Sequence, residues 1–319
     1  MNPFRPFLER QGVVVLDGGL ATELEAQGHD LDDPLWSAKV LLESPEAVRR
    51  VHRAYLEAGA DCIATVTYQA TLQGFARRGY TAGDAEDLLR EAVRLAVSER
   101  DAFWRDPQHR RGRLRPLVAA SIGPYGAFLA DGSEYSGRYG RNEAELRAFH
   151  APRWRILAES EADLLACETI PSGPEVRALL GLLRDTPERW AWISFSCGDD
   201  AHLWDGTPVG EAAAVCDAEE RVAAVGVNCV RPELAEPLVT RVRAATDKPV
   251  VVYPNSGDIY DVKRRVWVPA PPAQALPAAA AAWVARGASV VGGCCRIGPG
   301  GIRDIRRAAL RRAGRPAAS

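Results

Sequence analysis

The sequence has little of what marks a membrane or a secreted protein. Its 319 residues contain no run of about 18 apolar residues that would span a bilayer. The N-terminal segment, MNPFRPFLERQG, lacks the apolar core of a secretory signal. We therefore expect a cytoplasmic protein, in which the seven cysteines stay reduced and are available for metal binding or thiol chemistry rather than disulfides.

The sequence also lacks a dominant charge. Its 40 basic and 42 acidic residues leave a formal net charge of −2, so binding to nucleic acid or to an anionic membrane is not expected. A basic stretch at 105–116, RDPQHRRGRLRP, favours a solvated loop over a phosphate site, because no glycine-rich nest accompanies it. We expect small-molecule substrates as partners. The oligomeric state stays open, since an exposed helix face looks the same whether it meets solvent or a partner.

Eight short apolar segments recur along the chain, with helical stretches between them. Each is a continuous run rich in Val, Ile and Ala, which is typical of a parallel strand buried on both faces. The intervening segments, such as 45–58 and 85–97, repeat apolar residues with the 3.6-residue period of a helix. The predicted strands are 13–17, 62–67, 117–122, 164–168, 191–196, 223–228, 249–254 and 289–293.

Eight alternations of strand and helix predict an α/β fold of the (β/α)₈ TIM-barrel type. No low-complexity segment divides the chain, so residues 1–312 are predicted to form a single domain, followed by a disordered tail at 313–319. An open doubly wound sheet is the structural alternative. The barrel is favoured because no GxGxxG motif follows the first strand.

Polar and thiol residues collect at the carboxyl ends of the predicted strands, where TIM barrels place their active sites. Cys229 follows the sixth strand, and Cys294 and Cys295 follow the eighth. One strand separates these two, so their ends are expected to lie close enough to share a metal. Three thiolates leave the fourth position of a tetrahedral zinc free for a substrate, as in a catalytic site. A structural zinc site normally has four protein ligands, commonly in CxxC pairs, and this sequence has no CxxC.

The same three cysteines have plainer interpretations. Free cysteine is among the most buried residue types, so all three would also suit a hydrophobic core. Clustered thiols would also suit a redox protein with a reversible disulfide, although adjacent cysteines such as Cys294 and Cys295 seldom pair with each other. The pattern favours zinc without excluding these alternatives. Plain packing is expected of the four cysteines inside strands or a helix, which are Cys62, Cys167, Cys197 and Cys216.

Motifs along nearly the whole chain resemble the homocysteine S-methyltransferase family. GVNC (226–229) and GGCCR (292–296) are similar to its paired zinc signature. SIGPYGAFLADGSEYSGRYG (121–140) and HLWDGTP (202–208) are most similar to the branch that uses S-methylmethionine. Further similarity lies in DGGLATELE (17–25), TVTYQA (65–70), LLACETIPS (164–172) and VVYPNSG (251–257).

The resemblance implies a (β/α)₈ barrel with Zn²⁺ bound by Cys229, Cys294 and Cys295. It implies transfer of a methyl group from S-methylmethionine to the zinc-bound thiolate of L-homocysteine, forming methionine. S-Adenosylmethionine is left open as a second donor, although no nucleotide-binding fingerprint occurs in the sequence. Betaine is the alternative donor on the same site, but betaine-using relatives carry a longer C-terminal extension. A sulfonium leaves as a neutral thioether, which is consistent with the lack of an obvious catalytic histidine.

The resemblance also implies that Asp17 and Glu168 hold the ammonium group of homocysteine, with an ion pair to an arginine such as Arg296 as the alternative. Gly18 and Gly19 would let backbone N–H groups approach a substrate carboxylate, or would merely form a turn. The remaining candidates for substrate binding are Asn228, at the end of the sixth strand, and the aromatic residues Tyr68, Tyr125, Tyr135 and Trp204, which offer π-faces to a sulfonium or simply pack in loops.

Overall fold

The computed structural model describes residues 1–31, 37–261, 266–268 and 275–314. All strands but β8 and β9 form one parallel sheet in the order β1-β10-β7-β6-β5-β4-β3-β2, and β8 and β9 form a separate antiparallel pair. The strands are β1 (Val14–Val15), β2 (Cys62–Ala64), β3 (Leu117–Ile122), β4 (Leu164–Ile170), β5 (Ala191–Phe195), β6 (Val222–Asn228), β7 (Val250–Tyr253), β8 (Ile259–Asp261), β9 (Val266–Val268) and β10 (Ala288–Val291).

Helices follow the strands of the parallel sheet and pack on its outer surface. No described helix is long and apolar enough to cross a membrane. The helices are α1 (Arg5–Gln11), α2 (Leu20–Ala26), α3 (Ser37–Glu43), α4 (Pro45–Ala58), α5 (Leu72–Ala76), α6 (Ala82–Arg105), α7 (Tyr125–Leu129), α8 (Glu143–Ala158), α9 (Gly173–Arg184), α10 (Val209–Asp217), α11 (Pro232–Arg243), α12 (Leu276–Ala285) and α13 (Pro299–Arg312), with 3₁₀ turns at Pro107–Arg110 and Ser133–Tyr135.

The sheet closes on itself between its first and second strands. Leu16 forms a parallel bridge with Cys62. The Asp17 N–H donates to the Cys62 carbonyl at 3.0 Å, and the Asp61 N–H donates to the Val15 carbonyl at 2.6 Å. An open doubly wound sheet would leave both of these edges unpaired, so the predicted (β/α)₈ barrel is confirmed.

Two carboxylates, the buried Asp61 and the partly buried Asp163, fix the register at the amino-terminal end of the barrel. Asp61 accepts the Val15 N–H at 3.0 Å, and Asp163 accepts the Val118 N–H at 2.7 Å. Each carboxylate also binds an arginine, Arg306 for Asp61 at 3.0 Å and Arg100 for Asp163 at 2.8 Å. Strand N–H groups that face no neighbouring carbonyl are satisfied in this way.

Helix α1 closes the amino-terminal end of the barrel. Phe4, at its start, and Phe7 are buried, and the Phe4 ring lies 5.9 Å from the ring of Trp192, which fills the barrel interior. Small residues packed with Trp192, including Ala119 and Ala166, leave room for the indole. With this end filled by apolar side chains, the carboxyl ends of the strands remain for a site.

The basic stretch 105–116 connects the end of α6 to β3. A solvated loop was expected, and the stretch contains a 3₁₀ turn followed by a loop. The partly buried Arg113 guanidinium donates to the carbonyls of Leu56 and Ala60 at 2.8 and 2.5 Å. The Arg113 guanidinium therefore caps the carbonyls at the end of α4, so this side chain is not simply solvated. Of the predicted tail, 313–319, residues 315–319 lie outside the described residues, and its disorder stays a prediction.

The core between the strands and helices contains one histidine with an unusual environment. His52, in α4, is fully buried, and neither ring nitrogen has a hydrogen-bond partner among the described residues. Burial, together with nearby Arg49, lowers the pKa of His52 to about 4. The folded protein therefore holds this imidazole neutral at pH values where an exposed histidine would be charged.

This burial predicts an acid-sensitive contribution to stability. A histidine in the unfolded chain titrates near pH 6.5. As the pH falls from about 6.5 to 4, the unfolded chain therefore binds a proton at this histidine, whereas the folded chain keeps it neutral. The free energy of unfolding should fall by about 3 kcal/mol over this interval from this group alone. His52→Leu removes the group, so urea unfolding between pH 7 and 4 should show a shallower loss of stability than in the wild type. Parallel pH profiles for the two proteins would contradict the assignment.

Candidate metal centre

The three predicted cysteine ligands meet at the carboxyl end of the barrel. The Cys229 and Cys295 sulfurs are 3.8 Å apart, the Cys294 and Cys295 sulfurs are 4.0 Å apart, and all three lie within 4.8 Å of one another. A tetrahedral zinc with Zn–S bonds of about 2.3 Å places its sulfur ligands about 3.8 Å apart. The cluster therefore fits a tetrahedral metal. Within the described parts of the chain it is the one group of three or more His, Cys, Asp or Glu ligands so arranged.

The three cysteines of the cluster differ in their exposure to solvent. Cys229 is buried, whereas Cys294 and Cys295 are partly exposed, so the cluster faces the open mouth on one side. This is the arrangement of a site that admits a substrate as a fourth ligand. The four cysteines predicted to pack in the core are all buried and stand outside the cluster: Cys62, Cys167, Cys197 and Cys216.

The end of β7 holds all three cysteine backbones in place. Strand β7 lies between β6 and β10, as the sequence predicted for the strands that carry the thiols. The Cys229 N–H donates to the Tyr253 carbonyl at 3.2 Å, and the Cys294 N–H donates to the Pro254 carbonyl at 2.9 Å. The Cys295 N–H donates to Asn255 Oδ1 at 3.1 Å. Consecutive residues of one segment thus position all three candidate ligands.

Backbone strain is concentrated around the same cluster. Thr169, Cys229 and Arg296 adopt positive φ values of 63°, 52° and 67°. Such values are uncommon for residues with a side chain and persist where the surrounding structure enforces them. One of the three is itself a candidate ligand, Arg296 follows Cys295, and Thr169 follows Glu168. The fourth such residue among those described is Ala130, at the end of α7, so three of the four lie in turns that carry site residues.

The pKa values of the three thiols are shifted in opposite directions. Hydrogen bonds from the Cys294 and Cys295 thiols lower the pKa of Cys229 well below its ordinary value, and the Tyr135 hydroxyl, 3.5 Å from the Cys229 sulfur, acts in the same direction. The pKa values of Cys294 and Cys295 are raised in return, because their protonated forms donate those bonds. The chain therefore favours at least one thiolate in the cluster.

Glu168 lies at the barrel mouth within a chain of hydrogen bonds that begins in the interior. Ser121 Oγ donates to Glu168 Oε1, and the Tyr253 hydroxyl donates to Oε2 at 3.0 Å. Because the Tyr253 proton is committed to Glu168, Ser194 and Trp192 Nε1 donate to the Tyr253 oxygen, at 2.6 and 3.0 Å. Burial raises the pKa of Glu168 to about 7, in spite of the two hydroxyl donors.

Asp17 is a second buried carboxylate at the mouth. Its Oδ2 accepts the Ala64 N–H at 2.8 Å, and burial together with the neighbouring Glu168 raises its pKa well above the ordinary value. Arg296, the cation suggested as an alternative partner, binds Glu25 and Asp258 instead, at 3.5 and 3.4 Å. Two adjacent buried carboxylates without a protein cation in the described chain form a candidate ammonium site.

The glycines after β1 are required for close packing. A Cβ at Gly18 would lie 2.2 Å from the Ile297 carbonyl oxygen, and one at Gly19 would lie 2.8 Å from the Cys294 carbonyl oxygen. The Gly19 N–H is already bonded to the Ile297 carbonyl at 3.0 Å, so it serves the protein rather than a substrate carboxylate. Contact of Gly18 with a substrate stays a prediction. These glycines bring the Asp17 loop against the loop of two candidate cysteine ligands.

Asn228 is fully buried, and both ends of its side-chain amide form hydrogen bonds with Thr169. Its Oδ1 accepts the Thr169 N–H at 2.7 Å, and its Nδ2 donates to Thr169 Oγ1 at 2.8 Å. The amide therefore holds Thr169 in its positive-φ conformation and so orients Glu168. Direct contact of Asn228 with a substrate stays a prediction.

Of the four candidate aromatic residues, Tyr125 packs away among other rings, whereas Tyr68, Tyr135 and Trp204 lie near the cysteines or contact a residue that does. The Tyr125 ring packs in a cluster with Phe128 and Phe149, at centroid distances of 5.8 and 4.8 Å, as the plainer interpretation expected. Tyr135 and Trp204 meet edge-on at 6.2 Å beside the cysteines. The ring of Tyr68 lies against Gly123, where a Cβ would come within 2.7 Å of it, and its hydroxyl is close enough to Glu134 and Cys229 that both raise its pKa.

Sequence reasoning missed several residues of this site. Ser121, Tyr253 and Asn255 act through hydrogen bonds to Glu168 or Cys295, and Glu134 lies beside Tyr68. The position of Tyr253 and Asn255 at the end of the seventh strand was the available signal. Ser121 and Glu134 both lie in the 121–140 motif that resembles the family, but the motif by itself assigned neither of them a role.

Comparison with known proteins agrees with this geometry. The sequence profile described as Homocysteine S-methyltransferase matches residues 14–309. The chain belongs to the homocysteine S-methyltransferase family. It is 47 % identical over 305 residues to homocysteine S-methyltransferase YbgG of Bacillus subtilis (strain 168), covering 96 % of this chain and 97 % of that protein. The family assignment confirms what the sequence motifs predicted.

Two further relatives of this homocysteine S-methyltransferase family bear on the metal and the substrate. The solved structure of the homocysteine methyltransferase MmuM from Escherichia coli in its metallated form superposes with a TM-score of 0.84 at 43 % identity, covering 97 % of this chain and all (100 %) of that one. A selenocysteine Se-methyltransferase of Brassica oleracea var. italica is 45 % identical, covering 94 % of this chain and 89 % of that protein. The first is a metal-containing barrel of the same fold.

The cluster predicts that metal binding depends on each of its thiols. Cys294→Ala should reduce the metal content from about one equivalent per chain to near zero, because two thiolates leave a tetrahedral site half empty. Elemental analysis of protein purified under reducing conditions measures this. Cys216→Ala, which removes a buried thiol of α10, is the matched control and should keep its metal. Equal metal content in the wild type and Cys294→Ala would contradict the assignment and leave a redox or packing role for the thiols.

Proposed function

We propose that the chain transfers a methyl group from S-methylmethionine to L-homocysteine, forming methionine, with Zn²⁺ held by Cys229, Cys294 and Cys295. The family supplies the class of reaction, and the choice of metal and donor is the proposal. The observation that carries it is that three sulfurs at tetrahedral spacing share one barrel mouth with two carboxylates that have no cationic partner among the described residues.

The donor set supports zinc. Three cysteine thiolates in a tetrahedral arrangement select zinc or other soft metals over magnesium and calcium, which prefer oxygen ligands. When bound, zinc would supply a Lewis acid that keeps a substrate thiol ionised at neutral pH, where a free thiol with a pKa of about 8.5 is only a few per cent thiolate. The partly exposed Cys294 and Cys295 would leave that side of the metal open to substrate.

Asp17 and Glu168 would bind the ammonium group of homocysteine. Both are buried and both have raised pKa values, so a cation placed between them would restore their ionised forms and gain hydrogen bonds. The Ser121 and Tyr253 hydroxyls hold the Glu168 carboxylate in one orientation. The ammonium is thereby positioned beside the cysteine cluster, and the thiol of the same molecule is directed toward it.

The methyl transfer itself needs no general base from the chain. The carbon–sulfur bond of the sulfonium breaks with its electron pair going to the departing sulfur, while the acceptor sulfur forms the new bond to the methyl carbon. The acceptor reacts as a thiolate, and its proton is released to water when the thiol ionises. The leaving group is a neutral thioether, so no proton accompanies it. The two fully buried histidines, His52 in α4 and His150 in α8, form no hydrogen bond with the cysteine cluster among the described residues. The protein's task is to hold two substrates in line and to exclude water.

The donor preference follows from charge and leaving-group chemistry. A sulfonium releases a neutral thioether and is a better methyl donor than a quaternary ammonium such as betaine. The rings of Tyr135 and Trp204 lie beside the cysteines, where their π-faces would attract a sulfonium. S-Adenosylmethionine shares the sulfonium but would need room for its adenosyl group.

The ammonium site predicts a selective effect of Glu168→Gln. Loss of a hydrogen bond between charged groups should lower kcat/KM for homocysteine by about 10- to 150-fold. 4-Mercaptobutanoate is homocysteine without its amino group, so it should react comparably with the wild type and the variant. Glu188→Gln, at an exposed position, is the matched control. An unchanged kcat/KM for homocysteine, or equal losses with both thiols, would show that Glu168 does not bind the ammonium.

The donor is tested by competition. With homocysteine present and equal concentrations of S-methylmethionine, S-adenosylmethionine and betaine, each labelled in its methyl group with a different isotope pattern, most methionine should carry the label of S-methylmethionine. Mass spectrometry of the product measures this directly. A majority of label from either other donor would overturn the donor assignment while leaving the metal and acceptor assignments standing.

A further inference from the structure

A third carboxylate, Glu134, lies at the barrel mouth without a role in the chemistry described above. It belongs to the 3₁₀ turn Ser133–Tyr135, between β3 and β4. Its Oε2 atom is buried and has no hydrogen-bond partner among the described residues. The charged groups that act on it most strongly, Cys229 and Asp131, are themselves acidic. A buried carboxylate oxygen without a hydrogen-bond partner costs free energy, and no cation pairs with this group among the described residues, so the arrangement points to a ligand that supplies a cationic donor.

The backbone around Glu134 is fixed over the metal centre. The Tyr135 hydroxyl lies 3.5 Å from the Cys229 sulfur, and the Tyr135 ring contacts Trp204 edge-on. On the opposite side, a Cβ at Gly126 would come within 2.4 Å of the Glu134 amide nitrogen, so α7 and this turn touch through a glycine. The turn is clamped between α7 and the cysteine cluster. Glu134 is therefore held beside the sulfurs and not on a free surface loop.

The Glu134 carboxylate faces groups that belong to the site. It raises the pKa of the Tyr68 hydroxyl, and burial together with the Cys229 thiol raises the pKa of Glu134 to about 7. The carboxylate is thus close to both Tyr68 and Cys229. Asp17 follows β1 and Glu168 lies near the end of β4, whereas Glu134 lies in the 3₁₀ turn Ser133–Tyr135 between β3 and β4.

The substrates of the proposed reaction require a second ammonium site. Homocysteine and S-methylmethionine are both amino acids, so two α-ammonium groups enter one mouth. The Asp17–Glu168 pair accounts for one of them. A second cation so close to the first needs its own carboxylate, because two ammonium groups repel each other in a site of low dielectric constant.

We propose that Glu134 binds the α-ammonium group of the methyl donor and so selects a sulfonium amino acid over donors without an amino group. This inference rests on the proposed function, since it assumes S-methylmethionine as donor. The π-faces of Tyr135 and Trp204 serve the sulfonium, and the Glu134 carboxylate serves the ammonium. Betaine is a quaternary ammonium without an N–H group, so it can form no hydrogen bond with Glu134.

The test compares two donors that differ only in the amino group. Glu134→Gln keeps the shape of the side chain and removes its charge. At saturating homocysteine, kcat/KM for S-methylmethionine should fall about 10- to 150-fold, while kcat/KM for 4-dimethylsulfoniobutanoate, its desamino analogue, should change by less than about threefold. The KM for homocysteine and the zinc content should match the wild type. Glu188→Gln is the exposed control and should behave as the wild type with both donors.

Each other result decides against the assignment. Equal losses with both donors would make Glu134 a structural residue, and a raised KM for homocysteine alone would assign it to the acceptor. Loss of zinc would assign it to the metal centre, and an unchanged kcat/KM for S-methylmethionine would remove it from the site. A wild-type enzyme that transfers no methyl group from S-methylmethionine would overturn the proposed donor and this inference together. If the wild type is active with this donor, the comparison of the two donors tests Glu134 alone.

Discussion

The attachment of three cysteine backbones to the end of one strand is the constraint on which the site depends. Thiolates repel one another, so their sulfurs would separate if their loops were free. Instead Cys229, Cys294 and Cys295 each donate a backbone N–H to the segment Tyr253–Asn255. The closed barrel places β7 between the two strands that carry these cysteines. The sulfurs are thus kept at metal-binding distance by hydrogen bonds that involve no metal.

A chain of packing contacts and hydrogen bonds connects the barrel interior to the site. Trp192 packs against Phe4, at the start of the helix that closes the amino-terminal end, and its indole N–H reaches the Tyr253 hydroxyl. That hydroxyl in turn orients Glu168. Tyr253 therefore contributes twice: its carbonyl holds a candidate metal ligand and its side chain holds a carboxylate at the mouth. A site supported from a packed core in this way loses little precision to thermal motion.

The electrostatics of the mouth match cationic substrates. Asp17, Glu168 and Glu134 are withdrawn from water, and the pKa of each is raised mainly because of that burial. Elsewhere in the barrel, the buried Asp61 and the partly buried Asp163 have arginine partners. Asp17, Glu168 and Glu134 form no ion pair among the described residues, and this contrast is the basis for proposing that they bind the cationic groups of substrates.

The sequence by itself determined the barrel, the candidate cysteine ligands and the family. Continuous apolar strands alternate with amphipathic helices, and this local pattern is sufficient because each strand of a parallel barrel is buried on both faces. It did not indicate the β8–β9 hairpin, and it placed the ends of the first two strands too far along the chain, at Asp17 and Thr67 rather than Val15 and Ala64. Strand ends depend on where neighbouring strands stop pairing, which a linear pattern does not contain.

Only the tertiary structure decided how the site is assembled. The contacts of Ser121, Tyr253 and Asn255 join residues between 40 and 85 positions apart in the chain, and no local pattern reports them. Asn228 illustrates the difference, since its position at a strand end suggested a substrate ligand, whereas its amide binds Thr169. Local patterns contain the residue types and their places along each strand. The closure and register of the barrel decide which of those side chains meet, because pairing between distant strands sets every distance across the mouth.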